Sequence, residues 1–184
     1  MKLNIITSNE GKYKEYKAKL SDYYDVEMLN VGYDEIQTDN LQDVVDHGLA
    51  QLTPYAPLII DDSGIFIDAL NDFPGVYSSY VYHTIGLDGI LSLMEGKEGD
   101  ERKARFECII GMIDNDGDTH KFHGTTLGEI TKEKLGSHGF GYDPIFRPRD
   151  SEKTFAEMDS EAKNELSHRG KAVDRLIDFI EENR

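Results

Sequence analysis

Residues 58–67 read LIIDDSGIFI. An apolar run ends abruptly there in Asp61 and Asp62, and such a short run, bounded by polar residues, is typical of a strand buried on both faces. We therefore predict a buried strand over 57–62 and a further strand over 65–70. Two carboxylates at the end of a buried strand lie where α/β sheets usually bind ligands.

Strand and helix patterns alternate on both sides of this stretch. The other predicted elements are strand 2–7, helix 8–21, strand 26–29, helix 41–52, helical segments over 76–94 that break near Gly86, a hairpin of strands 102–113 and 121–130, an ordered loop over 135–154, and a final helix that Ser167 caps. Alternating strands and helices with one hairpin indicate an α/β protein with a mixed sheet. A length of 184 residues predicts a single domain over 1–184.

The composition excludes several classes of partner. The net charge of −16 repels polymeric nucleic acid, because duplex binding requires several phosphates to be neutralised together. No apolar run approaches the roughly 18 residues of a membrane span, and no signal region precedes a cleavage site. One cysteine suits a reducing compartment, so we expect a cytoplasmic protein. A small anion remains possible, since a few cations or a metal can reverse the field inside one pocket.

Lys12 is unusual because it lies in the first turn of a predicted helix, where the helix dipole already presents positive charge. The preceding Thr7, Ser8 and Asn9 supply hydroxyl and amide groups, so this loop and helix start can hold a phosphate. A plain capping box between Thr7 and Glu10 is the alternative. The other lysines of this helix, Lys14, Lys17 and Lys19, are expected to be solvated.

Asp61 and Asp62 are expected to have different roles, because adjacent strand residues point to opposite faces. A carboxylate here can bind Mg²⁺ or accept a proton from water, whereas an Asp turn is the alternative without function. Further along, glycines bracket Phe140, which can stack on a nucleobase or simply anchor a core loop. Arg169 repeats the anomaly of a cation at a helix start.

Six segments occur in a fixed order: TSNEGK, DDSGIFIDAL, FPGVYSSY, GFGYDPIF, KTFAEM and KNELSHRGKA. Together they resemble the inosine/xanthosine triphosphate pyrophosphatases, which remove non-standard purine nucleotides. The resemblance extends from Leu3 to the last helix, and Glu35, Ile36 and Gln37 look most like archaeal members.

The resemblance implies Mg²⁺-dependent hydrolysis of ITP, dITP and XTP to the monophosphate and pyrophosphate. It also implies an elongated two-lobed α/β fold around a long mixed sheet, with the active-site cleft between the lobes, and a homodimer. Within it, Glu35 and Asp62 bind metal, Asp62 accepts the proton of the attacking water, and Ser63 contacts substrate. The triphosphate-binding loop comprises Thr7, Ser8, Asn9, Glu10, Gly11 and Lys12, and the base is bound by Phe140, Gly141, Tyr142, Asp143, Lys163, His168 and Arg169.

A 6-keto purine would accept a hydrogen bond from Arg169 or from backbone N–H groups, whereas adenine would place donor against donor. One departure concerns the second helix, where bacterial members have a phosphate-binding lysine and this chain has Gln51. The alternative functions are a related pyrophosphatase that prefers pyrimidine nucleotides and a nucleotide-binding sensor without turnover.

Overall fold

A computed structural model describes residues 2–183 and contains one mixed sheet with helices on its faces. Its elements are β1 Lys2–Ile6, α1 Glu10–Leu20, β2 Asp25–Leu29, α2 Leu41–Leu52, β3 Leu58–Ile67, β4 Pro74–Gly75, α3 Ser78–Thr84, α4 Gly86–Leu93, β5 Lys103–Ile113, β6 Thr119–Ile130, β7 Phe146–Pro148, α5 Ser160–Leu166 and α6 His168–Glu182. The seven-stranded sheet has the order β2-β1-β3-β5-β6-β7, with β4 paired to β3. The predicted α/β class with a mixed sheet is confirmed.

The central strand is β3, which pairs in parallel with β1 at Leu58 and Ile59 and antiparallel with β5 along its whole length. The prediction of two separate strands here was wrong, because the ladder with β5 continues without a break through Ser63 and Gly64. Asp61 and Asp62 therefore lie in the middle of a strand. They come directly after its parallel pairing with β1 has ended, so one side of β3 opens at this point. An Asp turn is excluded by the same ladder.

Gly64 allows β3 and β4 to lie close together. A Cβ added at Gly64 would lie 2.4 Å from the carbonyl oxygen of Gly75 in β4. Such a contact is far below van der Waals distance, so a side chain here would separate β4 from β3. Ser78 completes the junction by donating to the Gly75 carbonyl at 2.6 Å and accepting from the Ile65 N–H at 2.9 Å.

Hydrophobic packing divides the molecule into two lobes along the sheet. In one lobe, α1 and α6 cover β1 and the hairpin through residues such as Tyr16 and Leu176, and α2 covers the opposite face. In the other lobe, Ile65, Phe106 and Phe155 belong to a separate cluster with residues of α3, α4 and β7. Strands β3, β5 and β6 extend through both lobes, so the sheet fixes the lobes relative to each other.

Several predicted boundaries hold and others shift. Helix 41–52, the break at Gly86 and the Ser167 cap are confirmed. Helix α1 begins at Glu10 instead of Ser8, and the segment predicted as a loop over 135–154 contains the short strand β7. Over residues 2–183, no helix is both long enough and apolar enough to cross a membrane.

Candidate active site

A cleft of about 950 Å³ lies between the lobes, at the open side of β3. This volume falls at the upper end of the range of small-molecule sites. The sequence-predicted residues that line it are Thr7, Ser8, Asn9, Lys12, Glu35, Asp62, Ser63, Phe140, Gly141, Tyr142, Asp143, Lys163, His168 and Arg169. Glu10 and Gly11 are the two predicted residues that the structure does not bring to the lining.

The start of α1 is capped by Asn9. Its side-chain oxygen accepts from the Lys12 N–H at 3.1 Å, while the Thr7 hydroxyl accepts from the Asn9 N–H at 3.1 Å. The alternative of a capping box between Thr7 and Glu10 is therefore not what forms, and Glu10 is exposed. The first intrahelical donor to a carbonyl is the Tyr13 N–H, and the Lys12 N–H is taken by Asn9, so the N–H groups of Glu10 and Gly11 are the ones in this turn that donate to no residue of the described chain.

Gly11 provides space for Phe140. A Cβ added at Gly11 would lie 2.7 Å from a ring carbon of Phe140, so any side chain there would displace the ring. The loop that holds Phe140 is fixed by Asp143, whose carboxylate accepts from the Phe140 N–H at 2.8 Å. The glycine in the TSNEGK segment thus joins the phosphate side of the cleft to the aromatic side.

Six charged residues form an ion-pair cluster in the wall of the cleft, and all of them except Glu15 line it: Lys12, Glu15, Asp61, Asp143, Lys163 and Arg169. Three carboxylates alternate with three cations, so the charges balance. Asp61 binds the Lys12 ammonium at 3.0 Å and the Arg169 guanidinium at 3.2 Å. Burial raises the pKa of the Asp61 carboxyl, but Lys12 and Arg169 outweigh it and hold that pKa well below its usual range.

Glu15 is a member of this cluster that the sequence analysis missed. Its two carboxylate oxygens accept from Lys163 at 2.8 Å and from Arg169 at 2.5 Å. Burial raises the pKa of Glu15, and these two cations reverse the effect, so the pKa ends below its ordinary value. A signal was present: two cations in the KNELSHRG segment need carboxylate partners if they are buried, and Glu15 follows Lys12 by almost one helical turn.

Lys163 is fully engaged by the protein. Its ammonium donates to Asp143 at 2.7 Å as well as to Glu15, and it lies 4.4 Å above the Phe140 ring. Arg169 is engaged in the same way, because its third contact is the Ser63 hydroxyl at 3.1 Å. Both cations are buried, and each donates to two carboxylates.

Lys19, which we expected to be solvated, is also a contact residue. It donates to Asp174 and, at 3.3 Å, to the Gly170 carbonyl of α6. Lys14 and Lys17 are exposed, as predicted.

Asp62 and Glu35 form a second group, the carboxylate pair. Unlike Asp61, neither makes an ion pair with any residue of the described chain 2–183. Burial raises the pKa of Asp62 to about 7; the Lys12 ammonium lowers it, while the charges of Asp61 and Glu35 raise it further. Asp62 therefore changes protonation near neutral pH.

The carboxylate pair fits a divalent cation. Mg²⁺ prefers oxygen ligands and is often held by one or two carboxylates together with substrate phosphates. Asp62 and Glu35 supply such oxygens in the cleft lining, and neither is held in an ion pair within residues 2–183. Among residues 2–183 there is no cluster of three or more His, Cys, Asp or Glu side chains that would enclose a metal by itself. The two carboxylates therefore suit a cation whose remaining ligands are supplied by the substrate.

His168 lies at the other end of the cleft. Its ring stacks on Phe106 with centroids 4.4 Å apart and planes 6° apart. Burial, followed by the charges of Arg169 and Lys163, lowers the pKa of His168 well below its usual range, so the imidazole is neutral. Its Nδ1 is buried and has no hydrogen-bond partner within the described residues. A buried polar atom without a partner is costly unless a ligand satisfies it.

A family profile for the Ham1 family matches residues 3–179 of the chain. The chain belongs to the Ham1 family. It is 52% identical to the dITP/XTP pyrophosphatase of Pyrococcus horikoshii, over 100% of this chain and 98% of that protein. It is 45% identical to the dITP/XTP pyrophosphatase of Thermococcus kodakarensis, over 100% and 99% of the two chains. The family resemblance drawn from the motifs is therefore confirmed.

Solved Ham1 proteins have the same fold. The Staphylococcus aureus Ham1 protein superposes with a TM-score of 0.85 at 30% identity, and 100% of each chain is covered. The Coxiella burnetii HAM1 protein gives a TM-score of 0.81 at 30% identity, over 99% of each chain. This agreement confirms the fold prediction for a Ham1-family chain.

Further residues line the cleft without having been predicted. Tyr33, Tyr82 and His83 all contribute to its wall. Burial raises the pKa of the Tyr33 hydroxyl, and the charges of Glu35, Asp61 and Asp62 raise it further, so Tyr33 stays protonated beside these carboxylates. Tyr33 follows β2 in a segment without regular structure, where sequence periodicity gives no signal.

Proposed function

We propose that this Ham1-family protein hydrolyses non-standard purine nucleoside triphosphates, namely dITP, XTP and ITP, to the monophosphate and pyrophosphate. The observation that carries the proposal is the arrangement within one cleft: an open helix start with Lys12 faces an unpaired carboxylate, Asp62, whose pKa is about 7. The names of the archaeal relatives support the same activity.

The triphosphate is assigned to the start of α1. Ser8 is exposed in the cleft, and the N–H groups of Glu10 and Gly11, which donate to no residue within 2–183, are available for phosphate oxygens. A helix N-terminus favours anions because its N–H groups and its dipole both point at them. The Lys12 side chain is 20% exposed, and its ammonium is the cation of the cluster placed to turn from Asp61 towards a phosphate.

Asp62 is assigned as the proton acceptor. A water oxygen attacks the α-phosphorus, the bridging bond to the β-phosphate breaks, and pyrophosphate leaves with that bridging oxygen. The proton released by the water passes to the Asp62 carboxylate and then to solvent. A base with a pKa near the working pH is effective in such a transfer. Mg²⁺, when held by Asp62 and Glu35, supplies positive charge that neutralises the phosphate oxygens.

Base selection is assigned to His168. Arg169, which we expected to bond the 6-keto group, is occupied by Asp61, Glu15 and Ser63. Among the buried atoms without a partner in residues 2–183, His168 Nδ1 is the one in the cleft lining, and in the tautomer that carries the proton on Nδ1 it donates to a 6-keto oxygen. Adenine carries an amino group at that position, so neither donor would be satisfied.

We also propose a cytoplasmic homodimer, because nucleotide substrates occur in that compartment and the α3–α4 pair exposes large apolar side chains. These are Tyr77, Tyr80, Ile85 and Leu93, with Tyr80 71% exposed. Light scattering of the purified protein tests the assembly: a mass near twice 20.8 kDa is expected, and a mass of 20.8 kDa would contradict it.

The activity is tested with a panel of nucleotides and Mg²⁺, in which pyrophosphate and phosphate release are measured separately. We expect pyrophosphate from dITP, XTP and ITP, with little from dATP. Higher rates on UTP and dTTP would favour the pyrimidine alternative. Binding of dITP without any pyrophosphate would favour the sensor.

A further inference from the structure

Gln51, near the end of α2, is hydrogen-bonded to a single residue of the loop that precedes that helix. Its side-chain oxygen accepts from the Asp34 N–H at 2.9 Å, and its side-chain nitrogen donates to the Asp34 carbonyl at 2.9 Å. The same nitrogen donates to the His47 carbonyl at 3.0 Å, one turn earlier in α2. The Gln51 side-chain amide is thus hydrogen-bonded both to its own helix and to the N–H and carbonyl groups of Asp34.

The loop of residues 30–40 makes few other hydrogen bonds. Residues 30–40 form no helix or strand. Within residues 2–183, the two hydrogen bonds to the backbone of residues 30–37 both come from Gln51. A packing contact accompanies them, since a Cβ added at Gly48 of α2 would lie 2.9 Å from the Tyr33 ring. The loop therefore rests on α2 at Tyr33 and is fastened there at Asp34.

The next residue is Glu35, a member of the carboxylate pair. Glu35 is exposed, and its negative charge repels the negative charge of Asp62. Like charges repel, so an unfastened loop would carry Glu35 away from Asp62 into solvent. A fixed Asp34 backbone restricts that movement, because one peptide unit separates the two residues.

We infer that Gln51 is a positioning residue, which holds the Asp34 backbone so that Glu35 stays opposite Asp62 for binding a divalent cation. The inference rests on the proposed function for its catalytic consequence. The chemistry requires glutamine: glutamate offers no donor to the Asp34 carbonyl, lysine offers no acceptor to the Asp34 N–H, and alanine offers neither.

The test uses the full-length variants Gln51→Glu and Gln51→Ala, with Gln42→Ala as the matched control. Gln42 lies on the same helix, and its side chain makes no hydrogen bond within residues 2–183. Mn²⁺ binding to the nucleotide-free protein is titrated by electron paramagnetic resonance, and amide exchange is followed at residues 33–36. We expect both Gln51 variants to weaken Mn²⁺ binding about tenfold and to speed exchange of the Asp34 amide, with Gln42→Ala unchanged.

Activity provides a further readout. The half-saturating Mg²⁺ concentration should rise about tenfold in the Gln51 variants, while kcat at saturating Mg²⁺ stays within about threefold of wild type. Normal Mn²⁺ and Mg²⁺ dependence with faster Asp34 exchange would reduce Gln51 to a structural role and overturn the inference. Unchanged exchange at Asp34, or a wild type that binds no Mn²⁺, would overturn it as well.

The failures of the two proposals are distinguishable. A wild type that releases no pyrophosphate would end the proposed function, yet Mn²⁺ titration and amide exchange would still decide whether Gln51 positions Glu35. Thermal unfolding of each variant checks for a general loss of structure. If Gln42→Ala also had a lower Tm and weaker Mn²⁺ binding, that result would count against the inference.

Discussion

The ion-pair cluster and the carboxylate pair meet at adjacent residues of β3. They differ in whether the β3 carboxylate is neutralised by ion pairs. In the cluster, Asp61 is buried between Lys12 and Arg169, and its pKa is depressed. In the pair, Asp62 has no ion-pair partner within residues 2–183, and its pKa rises to about 7. One strand thus presents a neutralised carboxylate to one face and a reactive carboxylate to the other.

The difference suggests how the site divides its tasks. A buried, fully paired network contributes little net stability but fixes geometry, because removal of one partner leaves another charge buried and alone. An unpaired carboxylate costs stability and retains the capacity to bind a cation or a proton. The cluster would therefore hold the cleft in shape, and the pair would perform the chemistry.

The largest expected effect comes from Asp62→Asn, which keeps the shape of the side chain and removes its charge. Loss of the proton acceptor should reduce kcat by about 10²–10⁴-fold. Steady-state pyrophosphate release measures this loss. Ser63→Ala serves as the neighbouring control, since its hydroxyl bonds Asp61 and Arg169, and a smaller loss is expected there.

The same Asp62→Asn variant should be more stable than wild type at pH 8. The folded pKa of about 7 lies above the ordinary value of 3.8, so wild-type Asp62 favours folding below that ordinary value and loses this contribution as pH rises through about 7. Asparagine has no such loss, and we expect Tm at pH 8 to rise by about 2–4 °C. A lower Tm at pH 8 would show that Asp62 is paired in solution.

Glu15→Ala should disrupt the ion-pair cluster. It leaves Lys163 and Arg169 buried with less negative charge, which costs about 3–5 kcal/mol of unfolding free energy. Glu10→Ala, on the same helix but exposed, should change stability by less than about 0.5 kcal/mol. Urea unfolding compares the two variants, and equal stability would mean that the cluster does not support the fold.

Lys12→Ala acts on both groups. Loss of the ammonium should raise KM for dITP by about 10- to 100-fold, as expected for a hydrogen bond to a charged group. Lys12 also lowers the pKa of Asp62, so its removal should move the pH dependence of kcat/KM upwards. Lys14→Ala is the exposed control and should leave both measurements unchanged. Unaltered kinetics in Lys12→Ala would remove Lys12 from substrate binding.

The pH profile distinguishes the two carboxylates in one experiment. With Mg²⁺ far below its saturating concentration, so that Asp62 titrates without a bound cation, kcat/KM should rise about tenfold per pH unit up to about 7 and then level off if Asp62 must be ionised. Asp61 should not contribute to the profile, because its pKa is held far lower. A profile that is flat from pH 5 to 8 would contradict the assignment of Asp62 as the base.

Local sequence signals predicted much of this molecule. The hairpin, helix 41–52 and the Ser167 cap follow from periodicity and capping chemistry, and the assignment of different roles to Asp61 and Asp62 follows from strand geometry. The continuity of β3 was missed because it depends on pairing with β5, which lies more than forty residues away at Ser63 and Cys108.

The site was predicted less completely for the same reason. Glu15 contacts Arg169 across 154 positions of sequence, and the local signals in the two segments do not say that these residues pair with each other. The family resemblance places Gly11 in the triphosphate-binding loop, but its close approach to the Phe140 ring depends on a residue far along the chain and was not predicted. Short-range chemistry identified the motifs, and the fold decided which atoms remain free.

Hydrolysis of dITP in ¹⁸O-labelled water shows which phosphorus is attacked, and wild type and Asp62→Asn are compared in the presence and absence of Mg²⁺. Wild type with Mg²⁺ should place one ¹⁸O in dIMP and none in pyrophosphate, and Asp62→Asn should show almost no turnover. Label in the pyrophosphate, or turnover by Asp62→Asn near the wild-type rate, would contradict attack at the α-phosphorus with Asp62 as the proton acceptor.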